Sequence, residues 1–163
     1  MRPLLVVVLA LALVPSAHGW TDGGRQLALE WPAEGRLNSS FGWDAGRPHS
    51  GLDIGVLSSP DIRAAEAGVV RRVGWIPGYE GYGLIVEVQL NARFTTLYAH
   101  LSKATVKPGQ LVTPGERLGI AGCTGWCTGT HLHFELRYRG AAIDPMPLLD
   151  GSGAGGGGYN QAS

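Results

Sequence analysis

Leu84-Ile85-Val86-Glu87-Val88-Gln89-Leu90 and, after Asn91-Ala92-Arg93, Phe94-Thr95-Thr96-Leu97-Tyr98-Ala99-His100 are short runs rich in valine, isoleucine, leucine and aromatic residues. Segments of this make-up, punctuated by glycine or proline, are strands rather than helices. Working outward, Leu52 to Val56, Gly68 to Val73 and His131 to Tyr138 read the same way. No long segment carries apolar residues at helical spacing, and Pro108, Pro114, Pro145 and Pro147 break the chain further. With Lys107-Pro108-Gly109 and Thr113-Pro114-Gly115 as turns, the expectation is an all-β domain, a compact antiparallel sheet or sandwich.

The 163 residues accommodate one globular domain. Thirteen basic and thirteen acidic side chains cancel, which argues against a nucleic-acid partner, since such affinity comes largely from Lys and Arg neutralising phosphates. Residues 1–19 have the layout of a secretory signal peptide: Arg2, an apolar run from Leu4 to Val14, then Ala17 and Gly19 as small residues before a cut ahead of Trp20. The run is short for a membrane span, and no cysteine stands at the cut to carry a lipid. The expected order is therefore a leader (1–19), a polar arm (20–31), a core domain (32–149) and a Gly-rich disordered tail (150–163), in a protein that is exported or wall-associated and monomeric.

Four histidines remain after the leader: His49, His100, His131 and His133. His131 and His133, two apart on a strand, face the same side and reach one small volume above the sheet. His49 and Asp53 would stand about 13 Å apart on a straight strand, so both serve one ion only if the chain bends between them, and Gly51 allows that bend. Two imidazoles and one carboxylate suit zinc and leave its fourth position open, as at catalytic sites. The surplus imidazoles can take a proton or hold an oxyanion, so the pattern points to metal-assisted hydrolysis. Spacing alone leaves open which two histidines are ligands.

Arg47-Pro48-His49-Ser50-Gly51-Leu52-Asp53-Ile54, Tyr98-Ala99-His100-Leu101-Ser102 and Thr124-Gly125-Trp126-Cys127-Thr128-Gly129-Thr130-His131-Leu132-His133-Phe134-Glu135 together resemble the LytM/lysostaphin-type peptidases. The resemblance runs from about Leu37 to Leu149 and implies an antiparallel β fold with Zn2+ in a groove. It implies His49, Asp53 and His133 as metal ligands, with His131 and His100 catalytic. His131 is then the general base and His100 the oxyanion stabiliser, two roles that could exchange. The implied substrates are peptidoglycan cross-links or stem peptides, and the implied activity is that of a zinc metalloendopeptidase. Some members of the family lack ligands and bind the wall or activate another wall hydrolase, which is the alternative. Glu135, on the same strand face as His133, reads as a residue behind the metal site rather than as the base.

Cys123 and Cys127 stand where family members commonly carry small polar residues. In an exported chain, two cysteines so placed are expected to form a disulfide. Its small loop yields little chain entropy, so its value would be rigidity at the groove wall. Trp126 and Trp43 are candidates to line the groove, and Gly78-Tyr79-Glu80-Gly81-Tyr82-Gly83 reads as a hairpin loop, with no helix following to cradle a phosphate.

Overall fold

The computed structural model describes residues 21–22 and 25–149. The leader, and the tail expected at 150–163, lie outside the described residues. The strands are β1 (Thr21–Asp22), β2 (Arg25–Gln26), β3 (Arg36–Ser39), β4 (Gly42–Asp44), β5 (Arg47–His49), β6 (Leu52–Gly55), β7 (Asp61–Arg63), β8 (Gly68–Trp75), β9 (Leu84–Gln89), β10 (Phe94–Leu101), β11 (Lys103–Ala104), β12 (Leu111–Val112), β13 (Arg117–Ile120), β14 (His131–Tyr138) and β15 (Ala141–Ile143).

An eight-stranded antiparallel sheet in the order β12-β8-β9-β10-β14-β6-β3, with β15 beside the far half of β14, forms the body of the domain. A smaller sheet, β11-β13-β7, contributes Ile62 and Leu118 to the core against one face of the large sheet. The all-β antiparallel expectation holds. Four of the five strands read from sequence are the long ones, and the fifth, β6, has 4 residues. The missed strands are two to four residues long and carry no alternation to read.

Strand β14 shows how one sequence serves two faces. Leu132, Phe134 and Leu136 point into the main core with Tyr98, Leu52 and Ile54, and full burial stabilises by about 1.5–3 kcal/mol for each such side chain. His131, His133, Glu135 and Arg137 alternate to the opposite face. There Ile85, Leu97 and Ala99 form a second, smaller cluster with Ile76, Tyr79 and Tyr82 packed against it. The main core also takes in Leu27 and Leu29, and Leu29 bridges to Leu149, so the last residues of the stretch read as a polar arm are built into the domain. The Gly78–Gly83 stretch does connect two antiparallel neighbours, β8 and β9, and contains a single 3-10 turn at Glu80–Tyr82.

Candidate metal centre and the surrounding histidines

Register brings the first and last motifs together. β14 pairs with β6 so that His133 stands opposite Asp53, while β5 ends at His49 and β6 begins at Leu52. The chain turns between them at Gly51, as the spacing required. A close approach explains the glycine: a Cβ there would lie 2.3 Å from the Phe134 carbonyl oxygen and 3.0 Å from the His133 ring. No side chain fits that gap.

His49 Nε2, Asp53 Oδ1 and His133 Nδ1 converge, all within 4.8 Å of one another. The pairwise distances are 3.2 Å from His49 to Asp53, 2.8 Å from His133 to Asp53 and 3.2 Å between the two imidazoles. A tetrahedral ion with ligand bonds of about 2.0–2.2 Å sets its ligands roughly 3.4 Å apart, so the donor set fits zinc with little adjustment. His49 Nδ1–H donates to the Ser40 carbonyl at 2.7 Å, which leaves the lone pair of that ring on Nε2, where the other donors are.

The electrostatics favour positive charge at this point. Burial opposes ionisation of Asp53, yet hydrogen bonds from His133 and His49 hold its carboxyl well below the usual carboxylate range. Burial also opposes a charged His133, and hydrogen bonds to Asp53 and Glu135 overcome it, raising the ring to about 9 in the metal-free chain. The same Asp53 interaction raises His49.

Behind His133 stands Glu135, fully buried. One of its oxygens accepts from His133 Nε2–H at 3.0 Å, from Ser50 Oγ at 2.6 Å and from Tyr82 OH at 2.7 Å, and the other accepts from Arg137 Nε at 2.6 Å. Arg137 in turn donates to Tyr79 OH at 2.7 Å. Burial alone would raise the carboxyl, but these donors bring it down to about 2, so it is ionised and saturated. Glu135 is absent from the residues that line the groove, which agrees with a supporting position for it.

His131 and His100 complete the cluster, with ring centroids 4.6 Å apart. His131 Nε2 lies 3.7 Å from Asp53 Oδ1, beside the candidate metal donors. His100 arrives by a bulge. Strict alternation along β10 would send it to the core side with Thr96 and Tyr98. Between the pairs Tyr98–Val86 and Leu101–Leu84, however, β10 carries one residue more than β9, and His100 takes a left-handed φ of 61°. The strand is re-aimed there, and His100 lines the groove with His131 and His133. Burial lowers the His100 pKa and keeps the ring neutral.

The groove has a volume of about 570 Å³, and Arg47, Pro48, Tyr82, Trp126 and Thr128 line it together with the histidines. Trp126 is a lining residue and 85% exposed; Trp43 is 69% exposed but is not among the lining residues. Cys123 and Cys127 form the expected disulfide, with Cα atoms 5.3 Å apart. Tyr82, one of several aromatics the sequence offers as groove candidates, does line it, but its bond to Glu135 was not foreseen, nor were Ser50, Arg137 and the carbonyls of Ser40, Thr124 and Gly129 that orient the imidazoles. Arg137 stands two residues beyond Glu135 on the same face and was the one legible signal.

These features define a class: a small antiparallel β domain whose large sheet carries a two-histidine, one-carboxylate candidate metal centre in an open groove. The chain belongs to peptidase family M23, whose family model matches residues 47–145. It is 39% identical over 99 residues to the peptidoglycan DD-endopeptidase ShyB of Vibrio cholerae, covering 61% of this chain and 22% of that protein. It is 30% identical over 135 residues to the murein hydrolase activator NlpD of Salmonella dublin, covering 83% of this chain and 35% of that one. Among solved structures, the antimicrobial peptidase lysostaphin from Staphylococcus simulans superposes with a TM-score of 0.67 at 28% identity, over 84% of this chain and 58% of that chain. The chain spans about a quarter to a half of the length of the curated relatives it matches.

Proposed function

We propose that this protein is a zinc metalloendopeptidase that hydrolyses peptide bonds in peptidoglycan cross-links or stem peptides, acting outside the cytoplasm as a monomer. The observation that carries this reading is the convergence of His49 Nε2, Asp53 Oδ1 and His133 Nδ1 beside two further imidazoles in one groove. Zinc held by those three residues would supply Lewis acidity to a scissile carbonyl and to the attacking water.

The remaining chemistry belongs to the chain. Glu135 fixes the His133 ring through Nε2–H and so keeps Nδ1 turned to the metal position. His131, whose Nδ1–H donates to the Gly129 carbonyl, turns Nε2 to the groove as general base; His100 is held the same way, and burial lowers its pKa. Once either ring has taken a proton it presents Nε2–H as a charged donor to the oxyanion, so the two roles are available to both rings. The exposed Trp126 ring and the Arg47 side offer an apolar and a cationic wall to a short peptide bearing a carboxylate.

Similarity to NlpD favours a second reading, a non-hydrolytic module that binds the wall or activates another hydrolase. Retention of all three ligand candidates and both auxiliary histidines favours the enzyme. Incubation with purified peptidoglycan, with and without a chelator, separates the two. New amino termini that vanish with chelator are expected; none across varied metal and pH would leave only the binding module.

A further inference from the structure

The catalytic-pair candidates share one support. His100 Nδ1 lies 2.8 Å from the carbonyl of Thr124, and His131 Nδ1 lies 2.7 Å from the carbonyl of Gly129. A carbonyl oxygen only accepts, so each ring carries its proton on Nδ1 and its lone pair on Nε2. Both carbonyls belong to a single loop, residues 122–131, whose ends are joined by a bridge between Gly122 and His131.

Several contacts hold the first half of that loop. Thr124 Oγ1 donates to the Leu101 carbonyl at 2.8 Å and accepts from Leu84 N–H at 3.0 Å, and Trp126 N–H donates to the Gly81 carbonyl at 2.8 Å. Gly125 and Gly83 approach so closely that a Cβ on Gly125 would lie 2.4 Å from the Gly83 nitrogen. The second half, which carries the Gly129 carbonyl, is tied to the first by the Cys123–Cys127 disulfide. Cys127 Sγ rests 3.0 Å from the Gly129 oxygen and 3.8 Å from His131 Nδ1. As a disulfide sulfur it has no proton to give, so it packs against that carbonyl without competing with His131 for it.

We infer that Cys123 and Cys127 are positioning residues: their disulfide makes the 122–131 loop one rigid brace that sets the tautomer and placement of His100 and His131 together. The three metal-ligand candidates do not depend on it. Opening the bond frees the Gly129 half from the Thr124 half. It also converts Cys127 into a thiol whose S–H reaches the carbonyl that holds His131. This inference rests on the peptidase reading for its kinetic consequence, and on geometry alone for its spectroscopic one.

The test compares wild-type protein with Cys123→Ser/Cys127→Ser, each labelled with 15N-histidine and loaded with zinc. In the wild type, both His100 and His131 show the Nδ1–H signature in long-range proton–nitrogen spectra. In the variant, at least one becomes a tautomer mixture, bound zinc stays at one per chain, and kcat on purified peptidoglycan falls on the order of tenfold to a hundredfold with KM little changed. Unchanged tautomers in the variant overturn the inference whatever the rate does, and so does loss of zinc. Should the double variant fail to fold, wild-type protein opened by dithiothreitol, which is oxidised to its cyclic disulfide as the two cysteines become thiols, gives the same readout. A wild type that shows the signatures but no cleavage counts against the peptidase reading and leaves the brace standing.

Discussion

The five polar residues on the floor of the groove divide into two regions held by different means. His49, Asp53 and His133 are fixed by the sheet and by scattered neighbours: the His133–Asp53 register, the Gly51 bend, the Ser40 carbonyl on His49, and the buried Glu135 behind His133. His100 and His131 are fixed by backbone carbonyls of one loop. The first arrangement concentrates negative charge and stabilises a cation. The second turns Nε2 of two rings toward the groove, each with Nδ1 held by a carbonyl. A site built this way separates metal affinity from turnover, and substitutions can strike one and spare the other.

Zinc affinity measured by chelator competition breaks or sharpens the comparison on its first side. His49→Ala removes one of the three proposed ligands and is expected to abolish stoichiometric zinc binding. Glu135→Gln keeps the shape but loses the charge behind His133, and its affinity should fall about 10- to 100-fold with the fold intact by circular dichroism. Wild-type affinity should also depend on pH, because the proton on His133 must leave before Nδ1 can bind. With that ring raised to about 9, affinity climbs by about tenfold per pH unit and levels off above 9. The same raised ring contributes stability to the metal-free chain that is fully present below the ordinary histidine value of 6.5 and is lost as pH rises through about 9. The smallest effect on zinc is expected of Tyr98→Phe, on the core side of the sheet. Tyr98 OH accepts from Ala65 N–H at 2.8 Å, and its loss should cost about 1–3 kcal/mol in denaturant unfolding with zinc affinity unchanged.

Much of this was legible in the residues. The bounds read for the His131–Tyr138 strand are those observed, and its alternation placed His131, His133 and Glu135 on one face. The His49–Asp53 spacing demanded a bend, and the bend is there. What the sequence could not carry depended on partners distant in the chain. Gly51 is needed because the Phe134 carbonyl passes beneath it, which no local pattern records. Counting by twos sends His100 into the core, since its bulge exists only relative to the β9 register. The carbonyls that orient His49, His100 and His131 belong to Ser40, Thr124 and Gly129, and backbone groups leave no signature in side-chain type. The choice of His133 over His131 as third ligand came from family resemblance. The geometry offers a reason for it in the 2.8 Å against 3.7 Å separations from Asp53.

One measurement tests the division most directly: zinc content and peptidoglycan cleavage of His100→Ala, determined side by side with the wild type. The account predicts one zinc per chain in both proteins, with new amino termini released by the wild type and none above background by the variant. Loss of zinc from His100→Ala, or cleavage at the wild-type rate, would contradict it.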